Sequence, residues 1–307
     1  MSISTRLTAD GLTQTGTELR SDALSLPPVV MQGVTHIAPA VGIVLTVQFI
    51  TSQAGVTSPL AYTIAFIIVL LLGASLTQLA KLFPSAGGYY TYLSRTIHPR
   101  AGFLTGWLYF LYDPTGPAIN LAFMGYFFEG TLKAEWGITW FRWWMFLLIG
   151  TAIVTVLTYR GIRISARTTV MLGAFEIAIV MLLGVFSLVS PGPGGINFSS
   201  YNPANSLSGN GLFLGVVFSV FAFTGFEAVA PLAEESANPR RALPRGIILA
   251  ILIVGAFYLF CSWAVLIGWG TGDLRHFIGA TENPVFSLSK RLWGPAWILV
   301  FVAVINS

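Results

Sequence analysis

GLFLGVVFSVFAFTGFEAVAPLAEESANPRRALPR, residues Gly211 to Arg245, decides how the rest of this chain is read. The stretch opens as an apolar run long enough to enter a bilayer. It is interrupted at Phe221-Ala-Phe-Thr-Gly-Phe-Glu227 and ends in Glu234, Glu235 and Asn238-Pro-Arg-Arg241, which need water. A glycine and a carboxylate at mid-depth have two readings. One is an ordinary kinked helix whose glutamate caps a neighbour. The other is the interrupted helix from which secondary transporters build a substrate site.

Working outward, composition limits the choice. The 307 residues are 55% hydrophobic and 9% charged, with mean hydropathy +0.76. A soluble domain has no use for that much apolar surface, so the chain reads as an all-α integral membrane protein. The net charge of +4 is spread over short loops between apolar runs and implies no nucleic-acid partner; the lipid bilayer is the expected partner. One cysteine, Cys261, excludes an intrachain disulfide framework. Residues 1–26 are polar, lack a signal-peptide pattern and read as a cytosolic tail, leaving 27–307 as the transmembrane domain.

Apolar spans fall at about 29–54, 59–80, 101–128, 143–158, 168–190, 211–233, 246–269 and 295–307. At about 1.5 Å rise per residue and about 20 residues per crossing, the first seven can span. The last is too short and stops while still apolar, so the chain reads as cut inside its eighth helix. With the N-terminus in the cytosol, eleven of the 16 Lys and Arg residues lie in inner loops, among them Lys81, Arg95, Arg163, Arg240 and Arg241. That bias predicts a multi-pass protein of the cell membrane with its N-terminus inside. The outer segment Thr271–Trp293 has the length and polarity for a short amphipathic helix across the outer mouth.

The first span contains a second interruption, Ile37-Ala-Pro-Ala-Val-Gly42. Pro39 lacks an amide hydrogen and Gly42 tolerates unusual dihedrals. A proline kink alone explains it. Two broken spans in corresponding positions of two repeats, however, mark a mid-membrane binding site. Amides of Ala40 to Gly42 at a half-helix N-terminus would hold a carboxylate. Carbonyls of Phe221, Ala222 and Thr224, beside Gly225, would accept from an ammonium, with Phe221, Phe223 and Phe226 as candidate walls. Three carboxylates lie within spans. Glu176 has no basic residue within a helical turn and is the candidate proton carrier. Asp113, before Pro114, is expected to cap the following half-helix. Glu227 is expected to brace the unwound segment. No HExxH, CxxC, phosphate loop or nucleophile elbow occurs, so neither catalysis nor a metal or other cofactor has a foothold.

Leu82-Phe-Pro-Ser-Ala-Gly-Gly-Tyr-Tyr-Thr-Tyr-Leu93 resembles the "FPxAGGxYxY" loop of amino acid permeases of the amino acid–polyamine–organocation superfamily. Gly102-Phe-Leu-Thr-Gly-Trp107 is similar to the start of their third helix. Phe221–Glu227, Ala233-Glu-Glu235, Asn238–Arg241 and Pro244-Arg245 match their sixth helix and the loop after it. The resemblance implies a leucine-transporter-like bundle of two inverted five-helix repeats, with helices 1 and 6 unwound at the site. It usually brings 12 helices, which again implies truncation here. The family's first-helix motif, Gly-Ser/Thr/Ala-Gly followed by Ile or Val, is replaced by Ala38-Pro-Ala-Val-Gly42. Some relatives carry a proton-coupling lysine in helix 5; the nearest position here is Glu176, so that lysine mechanism does not carry over. The reading is secondary active transport of an amino acid or related amine by alternating access, coupled to protons. An uncoupled exchanger, a non-transporting sensor and an inactive fragment stand as alternatives.

Overall fold

The computed structural model describes residues 25–160, 166–234, 236, 238–280 and 282–306. The N-terminal tail, Arg163 and Glu235 lie outside them. The described residues form helices joined by turns. In chain order they are α1 (Leu26–Ile37), α2 (Pro39–Ala54), α3 (Ser58–Leu82), α4 (Gly88–Thr96), α5 (Pro99–Tyr112), α6 (Thr115–Trp136), α7 (Trp143–Tyr159), α8 (Ala166–Val189), α9 (Gly209–Ala222), α10 (Pro239–Trp269), α11 (Leu274–Gly279), α12 (Pro284–Trp293) and α13 (Ile298–Asn306). A 3-10 stretch, Phe226–Glu234, follows α9.

Local chemistry sets many of these starts. α1, α2, α3, α5, α10 and α12 each carry proline in the first two helical positions, where the missing N–H costs nothing. Side chains cap others: the Ser208 hydroxyl accepts from the Gly211 amide at 3.0 Å. The Asn283 side-chain oxygen accepts from the Val285 amide at 2.9 Å.

The core is built on α1, α2, α3 and α10, whose inner faces are fully buried at Val29, Val34, Ile43, Val47, Tyr62, Ile247 and Ile251. Glycines let α3 and α10 pack tightly. A β-carbon on Gly73 would meet Ile251 at 2.3 Å, and one on Gly255 would meet Phe66 at 2.2 Å. Large apolar side chains that face outward, such as Ile67, Leu71, Phe103, Trp107, Leu148 and Phe213, suit a lipid surface.

Among the described residues, five helical stretches are long and apolar enough to cross a membrane: Leu26–Leu82, Val170–Val189, Gly209–Glu234, Pro239–Trp269 and Pro284–Val304. The first holds two of the expected spans. Two expectations differ from the structure. The span expected at 101–128 is two helices, α5 and α6, divided by a turn at Asp113-Pro114; Pro114 removes the donor that would have continued the ladder. The run at 295–307, read as too short to cross, holds a 3-10 turn, Gly294–Trp297, and α13, and together with α12 it makes an apolar stretch of 21 residues, Pro284–Val304. The segment 271–293 carries α11 and α12, the latter burying Val285, Phe286 and Leu288.

Candidate functional site

The first helical stretch stops at Ile37 and restarts at Pro39. Between them Ala38 adopts the left-handed conformation, φ 54° and ψ 65°, and among the described residues it is the one non-glycine with positive φ. α9 stops at Ala222, and after a turn through Gly225, φ 119°, the chain winds as a 3-10 stretch. The two interruptions touch: a β-carbon on Gly225 would sit 2.8 Å from the His36 carbonyl oxygen and 3.0 Å from the Ile37 nitrogen. Only glycine lets the two backbones come this close at that dihedral.

Tyr258 of α10 stands between them. Its hydroxyl donates to the Ala222 carbonyl at 2.9 Å. The same oxygen would lie 1.9 Å from a β-carbon on Gly42. Tyr258 is fully buried, with Phe223 at 4.9 Å edge-on and Tyr62 at 5.6 Å between ring centroids. The Tyr62 hydroxyl meets the Thr46 hydroxyl at 2.6 Å, and Thr46 donates to the Gly42 carbonyl at 2.5 Å. Hydrogen bonds therefore join α2 to α3 and α9 to α10 within the apolar core, and the Tyr62 and Tyr258 rings bring the two pairs side by side.

The site residues read from sequence divide on this geometry. His36–Ala38 and Gly225 are brought together, and Ala222 and Gly42 share Tyr258. Ala38, Ala40 and Val41 are buried. The Ala222 carbonyl, expected to meet an ammonium, already accepts from Tyr258. The Phe221 carbonyl accepts from the Thr224 amide at 3.1 Å and the Thr224 hydroxyl at 2.7 Å. Phe223 packs in the core against Phe66 and Tyr258 instead of walling a pocket, whereas Phe221 is exposed. Asp113 does not cap α6: Pro114 holds the cap position, with no side-chain hydrogen bond there. Glu176 is 1% exposed on α8, close enough to Tyr258 for their charges to interact.

Glu227 accepts from the Gly225 amide at 2.9 Å, which ties down the turn after α9. It also lines a cavity of about 120 Å³ that the sequence did not reveal. Tyr89, Tyr90 and Tyr92 of α4, Tyr109 of α5 and Pro231 are among its other walls, and no lysine, arginine or histidine is among the lining residues. The rings follow one another, with centroids 6.5 Å apart for Tyr92 and Tyr89 and 6.0 Å for Tyr89 and Tyr109. The tyrosine run after the double glycine was in plain view in the sequence. That it folds back over Glu227, more than 130 residues away, was not.

At the opposite end, α11 and α12 are fastened to α2. The Gln48 amide donates to the carbonyls of Phe277, Ile278 and Ala280 at 3.0–3.2 Å. The Asn283 amide donates to the Val44 carbonyl at 2.8 Å. Lys290 pairs with Glu135 of α6 at 2.5 Å and with Glu282, and sits 4.7 Å from the Trp297 ring centre. Gln48, Asn283, Tyr258 and Tyr62 were all missed by reading the sequence; a lone polar side chain inside an apolar run is the signal that could have found Gln48.

The sequence profile described as "Amino acid permease" matches residues 28–307. Relatives include the low-affinity putrescine importer PlaP of Escherichia coli (strain K12), 30% identical over 251 residues that make 80% of this chain and 54% of the relative. The branched-chain amino acid permease BcaP of Bacillus subtilis (strain 168) is 28% identical, covering 81% of this chain and 55% of the relative. The polyamine transporter PUT1 of Oryza sativa subsp. japonica is 26% identical, covering 82% and 46%. This chain spans about half the length of the curated relatives it matches. These relatives are transporters, not enzymes. A helical, apolar chain matched almost throughout by one profile belongs to the amino acid permease family.

Proposed function

We propose that this chain forms the substrate-binding bundle of a secondary transporter that carries an amino acid or related amine by alternating access. One observation carries the reading: the stops in α1–α2 and after α9 meet at Gly225, beside a cavity lined by one carboxylate and four tyrosines. Broken helices that pack against each other at membrane depth leave backbone dipoles for a polar solute. In the leucine-transporter-like arrangement, α1–α2 is helix 1 and α9 with its 3-10 extension is helix 6. The two belong to inverted repeats.

The division of labour follows from charge. The start of α2, with Ala40 first, offers helix N-terminal amides to a carboxylate, while the Gly42 amide already bonds the Ala38 carbonyl at 2.8 Å. Glu227 and the tyrosine faces suit an ammonium, through a charge-assisted hydrogen bond and cation–π contact. The relatives named for putrescine and for branched-chain amino acids are consistent with this pairing, since both solutes carry an amine. With the N-terminus in the cytosol, as the loop arginines favour, the cavity lies on the cytosolic side and the α11–α12 cap covers the outer side. Glu176, buried in α8, is the group to carry the coupling proton.

The test is uptake by proteoliposomes holding the protein expressed from its complete reading frame. Accumulation of labelled substrate against its gradient, abolished by a protonophore, is the expected result. Dependence on internal substrate with no protonophore effect would replace symport with exchange. Binding without any flux would overturn the transport reading.

A further inference from the structure

We propose, resting on the transport reading above, that the hairpin of α4 and α5 is a lid over the Glu227 cavity, hinged at Asp113-Pro114. The helical span is broken at that point, and each half is locked to a different neighbour. α5 is keyed into α4: a β-carbon on Gly102 would meet the Ser94 hydroxyl at 1.8 Å, and one on Gly106 would meet Tyr90 at 3.2 Å. The Tyr89 and Tyr109 rings, 6.0 Å apart, continue the same seam. α6 is keyed instead into α7. A β-carbon on Gly125 would lie 2.4 Å from the Trp143 carbonyl oxygen, and one on Gly150 would meet Leu121 at 2.7 Å. Glu129 adds bonds from the Trp143 amide at 2.8 Å and the Arg142 guanidinium at 3.1 Å. Contacts this close leave the members of each pair little freedom to slide, so the two halves of the span are two bodies sharing one joint.

The joint itself is weakly made. Pro114 has no amide hydrogen to continue the helical ladder. The Gly116 amide reaches back to the Asp113 carbonyl at 3.3 Å, a long bond. A β-carbon on Gly116 would meet nothing within 4 Å, and residues 111–115 are exposed, so bending there disturbs little packing among the described residues. The start of the hairpin has similar chemistry: Pro84 and Gly88 lie in the turn after α3, and Gly88 holds φ 46°.

The cavity lies along the seam between this hairpin and the body of the molecule. Tyr89, Tyr92 and Tyr109 come from the hairpin; Leu76, Glu227 and Pro231 come from α3 and the 3-10 stretch. A space at a seam opens when either side moves. One buried group favours that movement. Tyr92 is fully buried, yet its hydroxyl has no hydrogen-bond partner among the described residues. An unmet buried hydroxyl is a penalty on the closed arrangement, and water relieves it when the hairpin swings out.

The experiments use the protein expressed from its complete reading frame, in proteoliposomes. A β-carbon on Gly88 would lie 3.6 Å from that of Ala230, a spacing a disulfide bridges. Gly88→Cys with Ala230→Cys therefore locks the lid. Uptake of labelled leucine or putrescine should fall at least about tenfold on oxidation and return on reduction; equal uptake in the two states, with the disulfide formed, overturns the lid. Pro114→Ala heals the hinge by letting α5 and α6 join. It should lower kcat about fivefold at unchanged KM, the ratio helix propensities give for glycine against alanine, while Pro114→Gly keeps the parent's kcat. An unchanged kcat in Pro114→Ala overturns the hinge, as does an equal fall in Pro114→Gly. A readout without transport separates this proposal from the transport reading. Ala230→Cys, buried under the lid, should react with a water-soluble maleimide, and adding Pro114→Ala should slow that labelling about fivefold. Labelling that behaves so in a protein that carries no solute overturns the transport reading and leaves the lid standing. Labelling that Pro114→Ala leaves unaltered overturns the lid whatever the uptake.

Discussion

Gly42 and Tyr258 form a pair whose energetics can be worked out from the structure. A β-carbon on Gly42 would lie 1.9 Å from the Tyr258 hydroxyl oxygen, 2.9 Å from Cζ and 3.3 Å from Cε1. The tyrosine cannot swing aside, because it is fully buried between Tyr62, Phe223 and Phe257. Gly42→Ala is therefore an overpacking substitution costing about 1–3 kcal/mol or more. Tyr258→Phe removes the donor to Ala222 and leaves a buried carbonyl unmet, at about 1–3 kcal/mol. In the double variant the 1.9 Å contact no longer exists and only the milder ring contact remains. The two losses should then fail to add, with a favourable coupling of about 1 kcal/mol or more. The assay is a double-mutant cycle read from unfolding midpoints of the purified protein in one detergent. The double variant should be no less stable than Gly42→Ala alone. Single-variant shifts that sum in the double variant would refute the packing argument.

Gly225→Ala should lose about 2–4 kcal/mol, from the left-handed dihedral and the contact with His36 backbone together; its unfolding midpoint checks this, and a stability equal to the parent's would show that the two interruptions do not touch. Gln48→Leu combined with Asn283→Ala removes four hydrogen bonds between α2 and the α11–α12 segment. Hydrogen exchange across residues 274–293 should quicken about tenfold or more, at roughly 1 kcal/mol net per bond. Unaltered exchange would mean the cap is held by its apolar face alone. Glu176→Gln should flatten the pH dependence of uptake, and an unchanged profile would remove Glu176 as the proton carrier.

What could be read from the chain, and what could not, follows the range of the forces involved. The stop at Ala38-Pro39 was legible because proline removes a backbone donor wherever it falls. The turn through Gly225 was legible as a glycine beside a carboxylate in an apolar run. The helix stop at Asp113-Pro114 was legible in part: a half-helix was expected to start there, yet the surrounding hydrophobicity made 101–128 count as one span. Long-range partners left no local trace. Tyr258 in GAFYLFCSW reads as one more aromatic in a greasy helix, and only the fold shows its hydroxyl against Ala222. Phe223 was placed at the wall of a pocket by chain proximity to Gly225, yet helix rotation turned it into the core.

Ala38 has a consequence for rates. Gln48 and Asn283 bind the outer cap to α2, on one side of Ala38, while α1 packs on the other side against α10, with Gly33 close to Ala250 and Gly246 close to Val29. The joint between these two anchored rods is an alanine held left-handed, which costs about 1–2 kcal/mol that glycine would not incur. That strain narrows the energy gap between the bent rod and a straightened one. Glycine at the same position would relieve that strain, deepen the bent well by about as much and slow escape from it.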